Sequence, residues 1–135
     1  MDVALVVFEP TKNKLYFAGA YNPVLIYRGE ELFEIKADRM PIGIYIKDNQ
    51  DFTLNEFDYQ AGDTFYIFSD GYPDQFGGPK GNKFRIKALK ELLASIQDKS
   101  MAEQKEILNT TIENWIAECP GQDQIDDMVL IGVRL

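Results

Sequence analysis

Apolar and polar positions along this chain alternate in short runs first, and change to a helical period later. Residues 3–8 (Val-Ala-Leu-Val-Val-Phe) are a continuous apolar run of the kind found in a strand covered on both faces. Breaker-rich Glu9-Pro10-Thr11-Lys12-Asn13 ends it. A second strand is predicted over 14–19, stopped by Ala20-Tyr21-Asn22-Pro23. Residues 24–28 and 31–36 flank Gly29-Glu30, a tight hairpin signal, so that 3–36 reads as a meander. A loop is expected over 37–51, with Met40-Pro41-Ile42-Gly43 as its stiff centre. Strands at 52–58 and 64–69 follow, joined by Gln60-Ala61-Gly62-Asp63.

Past Asp70-Gly71 the pattern changes. Residues 72–82 contain Pro73, Gly77, Gly78, Pro79 and Gly81 and read as a mobile loop. Leu89, Leu92, Leu93 and Ile96 recur at helical spacing. Ser100-Met101-Ala102-Glu103 is a capping box opening a second helix to about Glu118, with Leu108, Ile112, Trp115 and Ile116 on its buried face. Cys119-Pro120-Gly121 ends it, and 128–134 is a final strand. Strands, then a helical pair, then one returning strand predict an α+β fold: a largely antiparallel sheet covered by helices on one face.

Composition narrows the chemistry. The 135 residues suit one domain, and 45% hydrophobic with 13% aromatic residues supply its core. Lys and Arg total 14 against 22 Asp and Glu, a net charge of −8, which argues against nucleic acid or an anionic membrane face as partner. With no histidine, His-based nucleophile pairs, His general bases and His-ligated zinc are excluded within this chain. The single Cys119 excludes an internal disulfide and fits a reducing compartment. No signal peptide is recognisable, and no apolar run approaches the ~20 residues that span a bilayer. Met1-Asp2 leads at once into an apolar strand, which gives the expectation that the chain begins in mid-domain.

Two acidic corners carry the functional content. Phe68-Ser69-Asp70-Gly71 closes one strand, and Ile125-Asp126-Asp127-Met128 opens the last. Such corners, if brought together, offer the hard oxygen ligands that Mg²⁺ and Mn²⁺ prefer. Residues 70 and 126 would meet if the last strand inserts beside strand 64–69. The plainer readings are a simple Asp-Gly turn at Asp70 and a strand cap at Asp126.

Taken in order, Ala18-Gly19-Ala20-Tyr21-Asn22-Pro23, Met40-Pro41-Ile42-Gly43, Gly62-Asp63, Phe68-Ser69-Asp70-Gly71, Phe76-Gly77-Gly78 and Gln124-Ile125-Asp126-Asp127 resemble the SpoIIE-type phosphatases. These are the bacterial branch of the metal-dependent serine/threonine protein phosphatases (PPM, type 2C). The resemblance implies a partial αββα sandwich, the C-terminal two-thirds of a single domain truncated at its N-terminus. It also implies Asp70 and Asp126 as ligands of two Mn²⁺ or Mg²⁺ ions, with Asp74 helping to hold a third. Gly71 would let backbone pass close to the site, and Asp127 would play a supporting part. Val129 stands where the family commonly has threonine.

The implied activity is hydrolysis of phosphoserine or phosphothreonine on a regulatory protein by metal-activated water, without a covalent intermediate. Segment 72–82 would be a substrate flap. The implied partners are a small anti-anti-sigma-like phosphoprotein and an upstream sensor domain, and self-association of the chain is expected from uncovered strand faces. The implied location is cytoplasmic, with any membrane tether upstream. The alternative is a non-catalytic protein-binding module with a degenerate phosphatase fold.

Overall fold

The computed structural model describes residues 1–43 and 50–135, so residues 44–49 of the expected loop 37–51 lie outside the described residues. In chain order the elements are β1 (Val3–Glu9), a 3-10 turn (Pro10–Lys12), β2 (Lys14–Ala20), β3 (Val24–Arg28), β4 (Glu31–Ile35), β5 (Asn55–Asp58), β6 (Thr64–Phe68), α1 (Gly71–Asp74), β7 (Phe76–Gly77), β8 (Asn82–Lys83), α2 (Ile86–Ser95), α3 (Met101–Ala117) and β9 (Leu130–Arg134). They fall into two compact units: residues 1–68 with 131–135, and residues 69–130.

The first unit is two sheets, β1-β2-β5 and β4-β3-β6-β9. Its β1–β2, β2–β5, β3–β4 and β3–β6 pairs are antiparallel. Period-two alternation sends Ala4, Val6 and Phe8 of β1 against a buried cluster of Leu15, Phe17, Val24, Ile26 and Phe65. The opposite face of β1 leaves Leu5 57% and Val7 51% exposed, an apolar surface of the kind on which self-association would rest. β3 is buried on both faces: Leu25 and Tyr27 are as enclosed as Val24 and Ile26. Enclosure pushes the Tyr27 hydroxyl up to about 12, helped by its neighbours Tyr66 and Glu34. The closing strand β9 lies beside β6, as the pattern predicted.

Strands 3–36 do not make one meander, because the chain changes sheet between β2 and β3. Tyr21 takes a left-handed conformation (φ +63°), and its N–H donates to Asp38 O at 2.9 Å. A Cβ on Gly19 would lie 2.7 Å from Asn22 O, so only glycine fits inside this bend. β5 is also shorter than the expected 52–58. The Thr53 N–H and Oγ1 both donate to the Asp38 carboxylate, at 2.7 and 2.9 Å, which takes that stretch out of the ladder.

In the second unit, α3 starts on the expected capping box: Ser100 Oγ accepts from Glu103 N–H, and the Glu103 side chain returns to Ser100. Leu89, Leu93, Ile96, Leu108, Ile112 and Tyr72 are buried, while Trp115 and Ile116 are half-buried. Buried Gln104 donates to Ile96 O and Lys99 O and so fastens the α2–α3 turn. Segment 72–82 is not the continuous loop expected from its prolines and glycines. It holds α1 and the β7–β8 hairpin, and its glycines serve close approach. A Cβ on Gly77 would sit 2.1 Å from Trp115 O, and Gly78 N–H donates to that same carbonyl at 2.6 Å. The last carbonyls of a helix lack intrahelical donors, and Gly78 supplies one.

Asp63 is the one buried acid of the first unit's described residues, at 1% exposure. Arg28 grips it twice (Nε–Oδ1 3.0 Å, the second guanidine nitrogen to Oδ2 2.7 Å), and Gln60 N–H adds a third bond at 2.9 Å. The guanidinium lies over Phe33 and Phe57, 5.4 and 5.5 Å from their centroids. Burial raises the Asp63 pKa, but the Arg28 hydrogen bonds, the Gln60 N–H and the Arg28 charge together hold it below its usual value. Arg28→Ala should therefore cost about 3 kcal/mol by urea unfolding at neutral pH, because it strands a buried carboxylate. The contribution of Asp63 is complete above the ordinary carboxylate pKa and is lost as pH falls through the lower folded value. The stability gap between wild type and variant should accordingly narrow on acidification.

Candidate metal centre

Beyond β6 the ladder is carried on by a side chain. Ser69 N–H donates to Val129 O at 2.9 Å, Ser69 Oγ donates to Asp127 O at 2.9 Å, and Val129 N–H donates to Ser69 Oγ at 3.0 Å. Ser69 thus holds both sides of the 127–129 backbone. Asp70 follows as the N-cap residue of α1, and Gly71 is buried against the second corner. A Cβ on Gly71 would stand 2.4 Å from Asp127 O, so the glycine is required by proximity and not by its φ. The backbone passing close to Gly71 is that of Asp127.

The two acidic corners are therefore adjacent at the level of backbone. Asp70 and Asp126 are both exposed. One carboxylate oxygen of Asp126, Oδ1, accepts the Asp127 N–H at 2.8 Å, and Gln124 Nε2 donates to the Asp126 carbonyl at 2.9 Å. These local bonds stiffen the corner and orient the Asp126 carboxylate. Asp127 acts through its main chain, with its carbonyl on Ser69. Asp74 lies one turn after Asp70, its N–H donating to Asp70 O at 2.9 Å. Its carboxylate is paired with Lys83 Nζ at 2.8 Å.

Exposed aspartates on fixed corners are the donors a hard divalent cation takes, so the residues present fit Mn²⁺ or Mg²⁺ as part of a ligand set. Among the described residues, no group of three or more Asp, Glu, Cys or His is placed to hold a metal ion. At Val129 the corner is satisfied, because Ser69 bonds its main chain on both sides.

Two residues that periodicity and charge did not single out, Ser69 and Gln75, do much of the positioning. Ser69 sits inside the Ser-Asp-Gly motif, and a hydroxyl before a strand-end Asp was the available signal. Gln75 offered none, since a buried amide is invisible to hydropathy.

The model of the family Stage II sporulation protein E (SpoIIE) matches residues 1–135. The chain belongs to the SpoIIE family. It is 27% identical over 142 residues to Stage II sporulation protein E of Bacillus subtilis (strain 168), covering 100% of this chain and 15% of that protein. The SiaA-PP2C domain of Pseudomonas aeruginosa superposes with a TM-score of 0.88 at 29% identity, over 99% of this chain and 51% of that one. The SpoIIE phosphatase domain from Bacillus subtilis, solved after presoaking with Mn, gives 0.70 at 21% identity over 99% and 56%. The chain thus has the mixed α+β, antiparallel fold of PP2C domains, and spans about half the length of the solved domains it matches.

Gly71→Ala should cost about 2 kcal/mol by urea unfolding, because the added methyl must displace the Asp127 backbone. An unchanged midpoint would show that the two corners do not touch.

Proposed function

We propose that the chain supplies the Asp70 and Asp126 ligands of a metal-dependent serine/threonine protein phosphatase, with Gly71 and Asp127 in support. The observation that carries this is the Ser69 clamp, which ties the residue before Asp70 to the backbone just after Asp126. Family membership supports it, as does the Mn-presoaked state of the Bacillus domain. Two such cations, when bound, supply Lewis acidity that makes water nucleophilic near neutral pH and offset charge on the phosphoryl oxygens. Asp70 and Asp126 hold cations and need take no proton. The chain contains no histidine to act as base, and its one thiol, Cys119, is half-buried against Gly81. That agrees with hydrolysis without a covalent intermediate. Asp74, released from Lys83, would be the third-cation ligand.

The finer reading is a phosphoserine or phosphothreonine substrate on a small bacterial regulatory protein of the anti-anti-sigma kind, with a sensor domain upstream in the full-length, cytoplasmic protein. Residues 80–90 support an anionic partner: Lys80, Lys83, Arg85, Lys87 and Lys90 occur there with no acid between them. Lys83 meets Asp74 of the candidate centre directly. No helix among the described residues is long and apolar enough to cross a membrane.

One observation favours the second reading, a non-catalytic binding module: the described residues gather no three-ligand metal cluster. Activity of the full-length protein decides between them. Mn²⁺-dependent hydrolysis of p-nitrophenyl phosphate is expected, and Asp70→Ala should lower it by about a thousandfold or more, removing a ligand whose charge the cations need. Full activity in that variant would refute the ligand assignment, and an inactive wild type would leave the binding module.

A further inference from the structure

Gln75 is a large polar side chain with 1% of its surface exposed, and the reaction proposed above makes no use of it. It follows α1, the short helix whose N-cap residue is Asp70. Its Nε2 donates to Phe76 O at 2.9 Å and to Asp123 O at 2.9 Å, while its Oε1 accepts the Ile125 N–H at 3.2 Å. Its own carbonyl accepts from Phe84 N–H at 2.9 Å and from Trp115 Nε1 at 3.3 Å. Both amide donors and the amide acceptor are therefore engaged, in a place where water cannot substitute for them.

What the amide grips is informative. Residues 123–125 are exposed, belong to no helix or strand, and immediately precede Asp126. Local bonds alone would leave such a stretch loose: Gln122 N–H reaches Cys119 O, and Gln124 Nε2 reaches Asp126 O. Gln75 fixes the backbone on one side of Asp126, at Asp123 and Ile125. Ser69 fixes it on the other, at Asp127 and Val129. Both clamps come from the short segment 69–75 that also carries Asp70. One stretch of seven residues (69 to 75) therefore provides the first carboxylate and sets where the second stands.

We infer that Gln75 is a positioning residue for Asp126, and that divalent-cation affinity depends on its buried amide; this rests on the phosphatase reading of the two corners. The chemistry of the position is narrow. Glutamate would aim a carboxylate at two carbonyl oxygens. Asparagine is one carbon too short to reach Asp123 and Ile125 together. Methionine fills the volume and makes none of the bonds. A role confined to packing would lower stability and leave cation affinity alone, whereas a positioning role moves affinity.

The test uses the full-length protein and its Gln75→Met variant, with three readouts: hydrogen exchange at the Ile125 amide without metal, Mn²⁺ affinity by calorimetry, and turnover of p-nitrophenyl phosphate against Mn²⁺ concentration. Exchange at Ile125 should quicken about tenfold while the α3 amides keep their protection, and the Mn²⁺ Kd should weaken about tenfold, as when an outer partner of a metal ligand is removed. Turnover should recover at saturating Mn²⁺. A folded variant with unchanged Ile125 exchange or unchanged Kd overturns the inference, as does a wild type that binds no Mn²⁺. If the variant does not fold, Ile125→Pro at its exposed position removes the N–H that Gln75 Oε1 accepts and should weaken Mn²⁺ binding in the same direction. A wild type that binds Mn²⁺ without hydrolysing the ester removes the phosphatase reading, and the Kd comparison still decides the role of Gln75.

Discussion

Carboxylates repel one another, so two aspartate corners stay together in the absence of a cation only if neutral bonds hold them. Here the Ser69 hydroxyl provides those bonds, accepting from Val129 N–H while donating to Asp127 O. A hydroxyl can give and take at once, which a backbone group cannot. Gly71 contributes by lacking a side chain where the Asp127 carbonyl passes. Carboxylates on corners held in this way would need little reordering to take a cation, because the loss of loop freedom is met in folding.

The unit that carries both corners is arranged around that need. Helix α3 leaves the Trp115 carbonyl without an intrahelical donor, and Gly78 N–H completes it. The Trp115 indole N–H reaches Gln75 O, and its ring meets Phe84 edge-on at 5.5 Å. Phe84 in turn meets Tyr72 at 5.3 Å, and the Tyr72 hydroxyl donates to Leu108 O at 2.8 Å. Burial pushes that hydroxyl's pKa far up, so it stays a neutral donor at all physiological pH. Hairpin, one-turn helix and α3 are linked by these contacts, and Gln75 extends the linkage to the loop before Asp126.

Local patterns in the sequence were read where local physics decides. Alternation placed β1, β2, β3, β4 and β6 within a residue or so, and Ser100 with Glu103 marked the start of α3. The adjacency of β6 and β9 followed from order and pattern together. Alternation names the faces of a strand but not the sheet it joins, so the sheet change at Tyr21 was not visible. Gly77 and Gly78 read as breakers because sequence shows only that side chains are absent, and here the absence admits Trp115. The pairing of Asp74 with Lys83 and the clamps of Ser69 and Gln75 depend on side-chain contacts across 9 to 60 residues, which neither strand alternation nor helical period registers.

The central claim is that the carboxylates of residues 70 and 126 share divalent cations. Anomalous diffraction from crystals of the full-length phosphatase domain soaked in Mn²⁺ tests it most directly. The account predicts manganese peaks within ~2.3 Å of carboxylate oxygens from both residues, the distance expected of oxygen ligands to such ions. Manganese bound elsewhere, or no manganese at either aspartate, would contradict it.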